Sequence, residues 1–294
     1  MPELPDVVVY IERLQDLLGG STLRRVRIAN PFVLRTVDPP PARVEGKKVL
    51  SFARIGKRIA ICLEDDFALV LHLMIAGRLR WRPPGAAIPK SNGLAAFDFD
   101  SGSLILTEAG KKRRASLHVV QGADALAQFE RGGLEVSAAS LEDFREALMR
   151  ENHTLKRALT DQSVLSGIGN AYSDEILLRA KLSPFKQTQS LSDDELAALF
   201  DATRSTLDEW IARLRAEVGD GFPEKVTAFR QGMAVHGRFR KPCPICGAPV
   251  QRIVYASNEC NYCARCQTGG RLLADRALSR LLKKNWPRRI EDIE

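Results

Sequence analysis

The chain has 294 residues, 45% of them hydrophobic and 27% charged, a globular composition long enough for about two domains of 100 to 200 residues each. No run approaches the ~18 apolar residues of a membrane span, and the opening MPELPDVVVY lacks the basic-then-apolar form of a secretion signal. A cytoplasmic protein with no membrane partner is therefore expected. The 44 basic and 36 acidic residues leave a charge of +8, and residues 225–294 hold 14 basic and 5 acidic ones, so the whole excess sits in the C-terminal quarter. That asymmetry fits a polyanionic partner such as nucleic acid; a solvated basic face is the plain alternative.

Taken in chain order, the first predicted element is a helix, with Val7, Ile11, Leu14 and Leu18 on one stripe and Gly19-Gly20 closing it. From about 22 to 120 the texture is β-like. The runs KVLSFARI, RIAICLE, FALVLHLMIAGRLRW and GSLILTE are punctuated by Gly56, Asp65-Asp66, Gly77, Pro83-Pro84-Gly85 and Gly102, which predicts an antiparallel sheet or sandwich. Beyond about 130 helical stripes take over in SLEDFREALMR, TLKRALTD, AYSDEILLRAKL and SDDELAALFDATRSTLDEWIARLRAEV, with Ser140, Ser190 and Ser192 as caps. A last helix over 271–284 would place Arg276, Arg280 and Lys284 on one face.

Cysteine use is uneven. Cys62 alternates with apolar neighbours and reads as a small buried hydrophobe. Cys243-Pro-Ile-Cys246, sixteen residues, then Cys263-Ala-Arg-Cys266 match the spacing of a four-thiolate zinc site closed around one structural ion. Pairing Cys260 with Cys263 leaves only thirteen residues between knuckles, and Cys260-x-x-Cys263-x-x-Cys266 leaves an iron–sulfur cluster open as an alternative. Neither His72 nor His236 has metal spacing.

Four separated segments resemble one family in the right order. They are the start Met1-Pro-Glu-Leu-Pro-Asp6, the turn Ile55-Gly56-Lys57, the stretch Asp161-Gln-Ser-Val-Leu-Ser-Gly-Ile-Gly-Asn170-Ala-Tyr-Ser-Asp-Glu-Ile176, and Cys243 to Cys266-Gln267. Together they resemble the formamidopyrimidine-DNA glycosylase and endonuclease VIII family, over residues 1 to about 268. The resemblance implies an α+β multidomain fold, in a chain of four parts. An N-terminal antiparallel β-sandwich with flanking helices (1–130) would carry the catalytic residues, followed by a helix-two-turn-helix domain (131–230) and a four-cysteine zinc-finger β-hairpin (231–268); the fourth part, a basic helical tail (269–294), rests on the sequence pattern alone and has no counterpart in the short members of the family.

It also implies an activity: a bifunctional DNA glycosylase and abasic-site lyase of base excision repair, acting as a monomer on damaged double-stranded DNA. Pro2 alone reads as a helix-start residue. In the family, removal of the initiator Met exposes its secondary amine as the nucleophile, and an α-amino group of pKa about 8 is roughly 10% neutral at pH 7, far more than a lysine near 10.4. By the same resemblance Glu3 is the general acid/base at the sugar oxygen and Lys57 binds the phosphate beside the lesion. Asn170 follows Gly167-Ile168-Gly169 at a helix start suited to a phosphate, and Lys156 matches a basic position nearby. The four cysteines Cys243, Cys246, Cys263 and Cys266 would hold Zn2+.

Several features depart from the pattern, among them the milder change of a family glutamate to Asp6. Where the family reads HLGMTGR this chain has His72-Leu-Met-Ile-Ala-Gly-Arg78, so an apolar plug falls to Met74 and Ile75. The family's DPRRFG wedge becomes Glu108-Ala-Gly-Lys111-Lys112-Arg113-Arg114-Ala-Ser116, basic and DNA-facing in expectation but with no aromatic. The arginine of the finger's hairpin tip becomes Asn258. These departures motivate a second reading, a catalytically reduced protein that scans or binds damaged DNA. A zinc-stabilised interaction module without nucleic acid explains the cysteines but not the N-terminus.

Overall fold

The computed structural model describes the chain apart from residues 111, 256–257, 275–279, 284–286 and 294 and the side chains of Tyr255 and Asn258. The chain divides into two compact units, Met1–Arg131 with Trp210–Thr227, and Gly132–Glu209 with Ala228–Glu294.

In the first unit, helix α1 (Leu4–Leu18) starts after Glu3, whose backbone N–H donates to Asp6 Oδ2 at 2.9 Å. That carboxylate makes Glu3 the N-cap, so Pro2, expected inside the first turn, lies one residue before the cap. The helix buries Val7, Tyr10, Leu14 and Leu18, with Ile11 only partly covered at the edge of the stripe.

Strands β1 (Leu23–Ile28), β2 (Val49–Ile55), β3 (Arg58–Leu63), β4 (Phe67–His72), β5 (Gly77–Arg82), β6 (Gly93–Phe99), β7 (Gly102–Glu108) and β8 (Ser116–Gln121) form two antiparallel four-stranded sheets. Their orders are β1-β6-β7-β5 and β2-β3-β4-β8. Period-two alternation sends Ile59, Ile61, Leu69, Leu71, Leu117 and Val119 of one sheet into a single core with Leu79, Phe97, Leu104 and Leu106 of the other. Each such side chain contributes about 1.5–3 kcal/mol of burial. The opposite face of β3 and β4 carries the smaller Ala60, Ala68 and Val70, covered by Leu126 of α2 (Ala123–Ala127) and by Phe129, and Cys62 packs here as a small hydrophobe. The run 67–81 is broken by a turn at 73–76, in which Met74 takes a left-handed φ of 53°.

In the second unit, Ser140 caps α3 (Leu141–Met149) by accepting from the Asp143 N–H, and Ser192 accepts from the Glu195 N–H ahead of α6 (Asp193–Val218). Ser190 is not a cap: its hydroxyl donates to the Gln187 carbonyl within a short 3-10 turn. Between them lie α4 (Leu155–Thr160) and α5 (Asn170–Arg179). The cysteine-rich end forms a hairpin of β9 (Gln251–Tyr255) and β10 (Asn258–Tyr262), then α7 (Ala264–Thr268). Leu272, Leu273 and Ile290 pack onto Ile253 and Tyr262 of that hairpin. The helix predicted from 271 therefore does not begin there: Arg271 forms a bridge with Arg289, and residues 272–274 are not helical. Much of the remaining predicted helix, including Arg276 and Lys284, lies outside the described residues.

Candidate active site and nucleic-acid interface

The N-terminal residues are held by packing. Pro2 is buried, Glu3 is 2% exposed and Lys57 8%. Lys57 occupies the second position of the two-residue hairpin joining β2 and β3, closed by the Ile55–Arg58 pair. Gly56 at the first position has φ 60°, the left-handed conformation that such a turn requires of its leading residue. Burial lowers the pKa of the Met1 amino group, Arg78 and Lys57 push it the same way, and Glu3 and Asp6 oppose them. The chain start, Glu3, Lys57 and Arg78 thus share one electrostatic neighbourhood, in which an amine is biased toward its neutral form.

Arg78 was not singled out by its sequence context. Its guanidinium donates from Nε to the Val226 carbonyl at 2.6 Å and from Nη1 to the carbonyls of Gly77 at 2.6 Å and Ile75 at 3.2 Å. These bonds brace the turn from which Ile75 projects, 61% exposed, with Met74 half-buried beside it. Gly77 closes the turn where a side chain does not fit, since a Cβ would lie 2.2 Å from the Leu73 carbonyl oxygen.

A second group beside Lys57 was also missed. His72 pairs in register with Arg58, and burial, then Arg58 and Lys57, then Arg131 and His118, push its pKa down to about 4. Arg58 donates to the Phe129 carbonyl at 3.2 Å and lies over the Phe129 ring. Its own pKa is lowered by burial and then by Arg131. The named influences on both groups are burial and other basic groups, the electrostatics of a surface suited to an anion.

On the loop after β7, Lys112, Arg113 and Arg114 are exposed, and Lys111 lies outside the described residues. Buried Glu108 fixes this loop, with Oε2 accepting the backbone N–H groups of Arg114 at 2.8 Å and Ala115 at 2.9 Å.

In the second unit, the turn before α5 is organised by Gln162. Its side chain donates to the Ile168 carbonyl at 2.8 Å and accepts from the Gly167 N–H at 3.0 Å, with Gly167 at φ 81°. Asn170 opens α5, and its Nδ2 donates to the Glu259 carbonyl on β10 at 2.8 Å. Lys156 is placed differently from a solvated phosphate ligand. It is 8% exposed, and its ammonium donates to the Asn170 carbonyl at 2.8 Å, Ser173 Oγ at 2.7 Å and Asp174 Oδ1 at 2.6 Å. An ammonium has three donors, and all three are used within the protein.

The sulfur atoms of Cys243, Cys246, Cys263 and Cys266 lie within 4.8 Å of one another. The Cys246 and Cys263 sulfurs are 3.4 Å apart and those of Cys243 and Cys266 4.0 Å. Tetrahedral zinc with bonds of about 2.3 Å requires sulfurs roughly 3.8 Å apart, so the four fit such an ion. Gly247, at φ 77°, donates its N–H to the Cys243 carbonyl in the first knuckle, and Gln267 Oε1 accepts from the Cys263 N–H in the second. Cys260 belongs to neither knuckle: it is fully buried on β10, and its pKa is raised by burial and by Asp174.

Comparison with known proteins agrees with this arrangement. The N-terminal domain of formamidopyrimidine-DNA glycosylase matches residues 1–115, and the H2TH domain of the same enzymes matches residues 134–219. The formamidopyrimidine-DNA glycosylase of Thermus thermophilus is 33% identical over 282 residues, covering 92% of this chain and 100% of the relative. The crystal structure of the MutM (Fpg) protein from Thermus thermophilus aligns with a TM-score of 0.75 at 32% identity, over 90% of this chain and 98% of that one. A Lactococcus lactis Fpg mutant, in complex with a Fapy-dG containing DNA, aligns with a TM-score of 0.80 at 25% identity, over 91% and 100% of the two chains. With both characteristic domains in order and a relative matched along its whole length, the chain belongs to the formamidopyrimidine-DNA glycosylase family.

Proposed function

We propose that the chain is a DNA glycosylase with abasic-site lyase activity, acting on an oxidised base in duplex DNA through the amine of Pro2. The observation that carries this reading is the buried N-terminus, sharing its surroundings with Glu3, Lys57 and Arg78. After removal of Met1, the neutral Pro2 nitrogen attacks C1′ of an extruded nucleotide, and the base departs with the glycosidic electron pair and takes up the proton that the nitrogen releases. Glu3 donates a proton to O4′ as the ring opens, and the nitrogen lone pair forms a C1′ iminium. Because a secondary amine yields an iminium that is cationic without a further proton, the C2′ hydrogen becomes acidic. Loss of that proton sends electrons through to the C3′–O bond and expels the 3′ phosphate. Lys57, with Arg58 and His72 beside it, binds the adjacent phosphate.

Cys243, Cys246, Cys263 and Cys266 would hold one zinc ion, which with four thiolates has a closed coordination sphere and contributes folding free energy to the hairpin. Asn170 and the exposed Lys112, Arg113 and Arg114 contact DNA phosphates, and Ile75 with Met74 fills space left by the extruded nucleotide.

The test is borohydride trapping on a duplex with an abasic site, comparing the mature chain with Pro2→Gly and with an N-terminally blocked form. A covalent adduct is expected only with a free Pro2 amine. Binding without adduct or nicking in the mature chain would instead favour the scanning protein.

A further inference from the structure

We infer that Asp174 is a positioning residue for phosphate binding at the start of α5, acting on Asn170 through Lys156 and His236; this rests on the reading of Asn170 as a phosphate ligand. Asp174 has 0% exposure and both its oxygens are engaged, Oδ1 by Lys156 Nζ at 2.6 Å and Oδ2 by His236 Nδ1 at 2.8 Å. Asp174 also joins burial in raising the pKa of the Cys260 thiol on β10. Lysine from α4, histidine from the segment ahead of the finger and cysteine from the finger hairpin therefore meet at one carboxylate of α5.

The surrounding bonds converge on residue 170. Lys156 donates its second hydrogen to the Asn170 carbonyl, and Ser173 Oγ, which takes the third, lies 2.6 Å from the Gly169 carbonyl. The segment carrying His236 is held independently, with the N–H groups of Ala234, Val235 and His236 all donating to Glu175, and the Gly237 N–H donating to Asn261 Oδ1 on β10. β10 in turn supplies the Glu259 carbonyl that takes one Asn170 amide hydrogen. A side-chain amide has two N–H donors in one plane, so anchoring one on the finger sets the direction of the other. With the carboxylate gone, Lys156 loses the anchor that keeps it under Asn170, and the His236 side chain loses its own bond to α5, leaving its segment held there by Glu175.

Full-length, zinc-loaded protein is titrated with a duplex carrying a tetrahydrofuran abasic-site analogue at several salt concentrations, for wild type, N170A, D174N and D174N/N170A, with zinc content and melting temperature measured on each. The expected result is that D174N weakens binding about tenfold with little change in the slope of log K against log salt, because a neutral amide contact to phosphate releases no counterion. N170A does the same, and the double variant is no weaker than either. Wild-type affinity in D174N, or losses that add in the double variant, overturns the inference. If D174N loses zinc or its folded transition, K156M/D174N replaces it, with neither buried charge left unpaired. A restored melting temperature with affinity still reduced supports positioning, and recovery of both overturns it. An N170A variant with unchanged affinity removes the phosphate role of Asn170 itself, a failure separable from that of Asp174.

Discussion

Two buried lysines, one in each unit, show how the same side chain at the same exposure reaches opposite electrostatic ends. Lys57 and Lys156 are both 8% exposed. Lys156 is bonded to a carboxylate, a hydroxyl and a carbonyl, so its charge is compensated from within. Lys57 sits on a hairpin turn where its field adds to those of Arg58 and Arg131 in keeping His72 neutral. Burying a charge is costly unless it is answered by an opposite one. Lys156 is answered by Asp174; Lys57 adds to the positive field that Arg58 and Arg131 set up around His72, and in the proposed function that field attracts a DNA phosphate.

The comparison breaks most visibly on the Lys156 side. Lys156→Met leaves Asp174 buried with one partner gone, a change that costs about 3–5 kcal/mol for pairs of this kind. Denaturant melts should show a lowered midpoint, with less than about 1 kcal/mol recovered by adding zinc. A variant as stable as wild type would mean that Asp174 is answered by His236 alone.

The converse is expected of Lys57. Lys57→Met should lower the rate of borohydride trapping about a hundredfold, the size typical of losing a group that stabilises charge in a transition state. Single-turnover trapping at saturating protein separates this from weaker binding. If K57M is trapped as fast as wild type, the contrast between the two lysines is wrong.

The features built from near neighbours were legible in the sequence, and those built from distant ones were not. The Gly56-Lys57 turn, the two cysteine knuckles, the capping of α3 by Ser140 and the glycine turn before Asn170 each depend on residues within a few positions of one another, so spacing alone carries the physics. β6 and β8 escaped notice because Gly93, Ala95, Ala96 and Asp98 in one, and Ser116 and Gln121 in the other, lack the branched apolar texture of strands and are recruited by pairing with β7 and β4. The role of His236 was hidden because its partner Asp174 is 62 positions away, and that of Arg78 because its carbonyl partner on Val226 is 148 away. Lys156 looked like an exposed helix lysine for the same reason: only the packing of α4 on α5 reveals that its charge is already used.

The smallest expected effect is the pH dependence contributed by His72, and it sharpens the contrast from the Lys57 side. Its pKa falls from 6.5 to about 4 on folding, so between those values the unfolded chain binds more protons than the folded one. Stability therefore rises with pH across this window and is lost as pH falls through it, by at most about 3 kcal/mol for the full shift. His72→Asn should flatten the pH 4 to 6.5 segment of a stability profile while leaving the profile above pH 7 parallel to wild type. Because Lys57 is one of the cations holding the imidazole neutral, Lys57→Met should raise the His72 pKa, read directly from the imidazole resonances in an NMR titration. The same substitution at Lys156 should leave those resonances where they were, since that charge is matched by its own carboxylate. An unmoved His72 in K57M would place the two side chains in separate electrostatic environments and detach the imidazole from the phosphate-binding group.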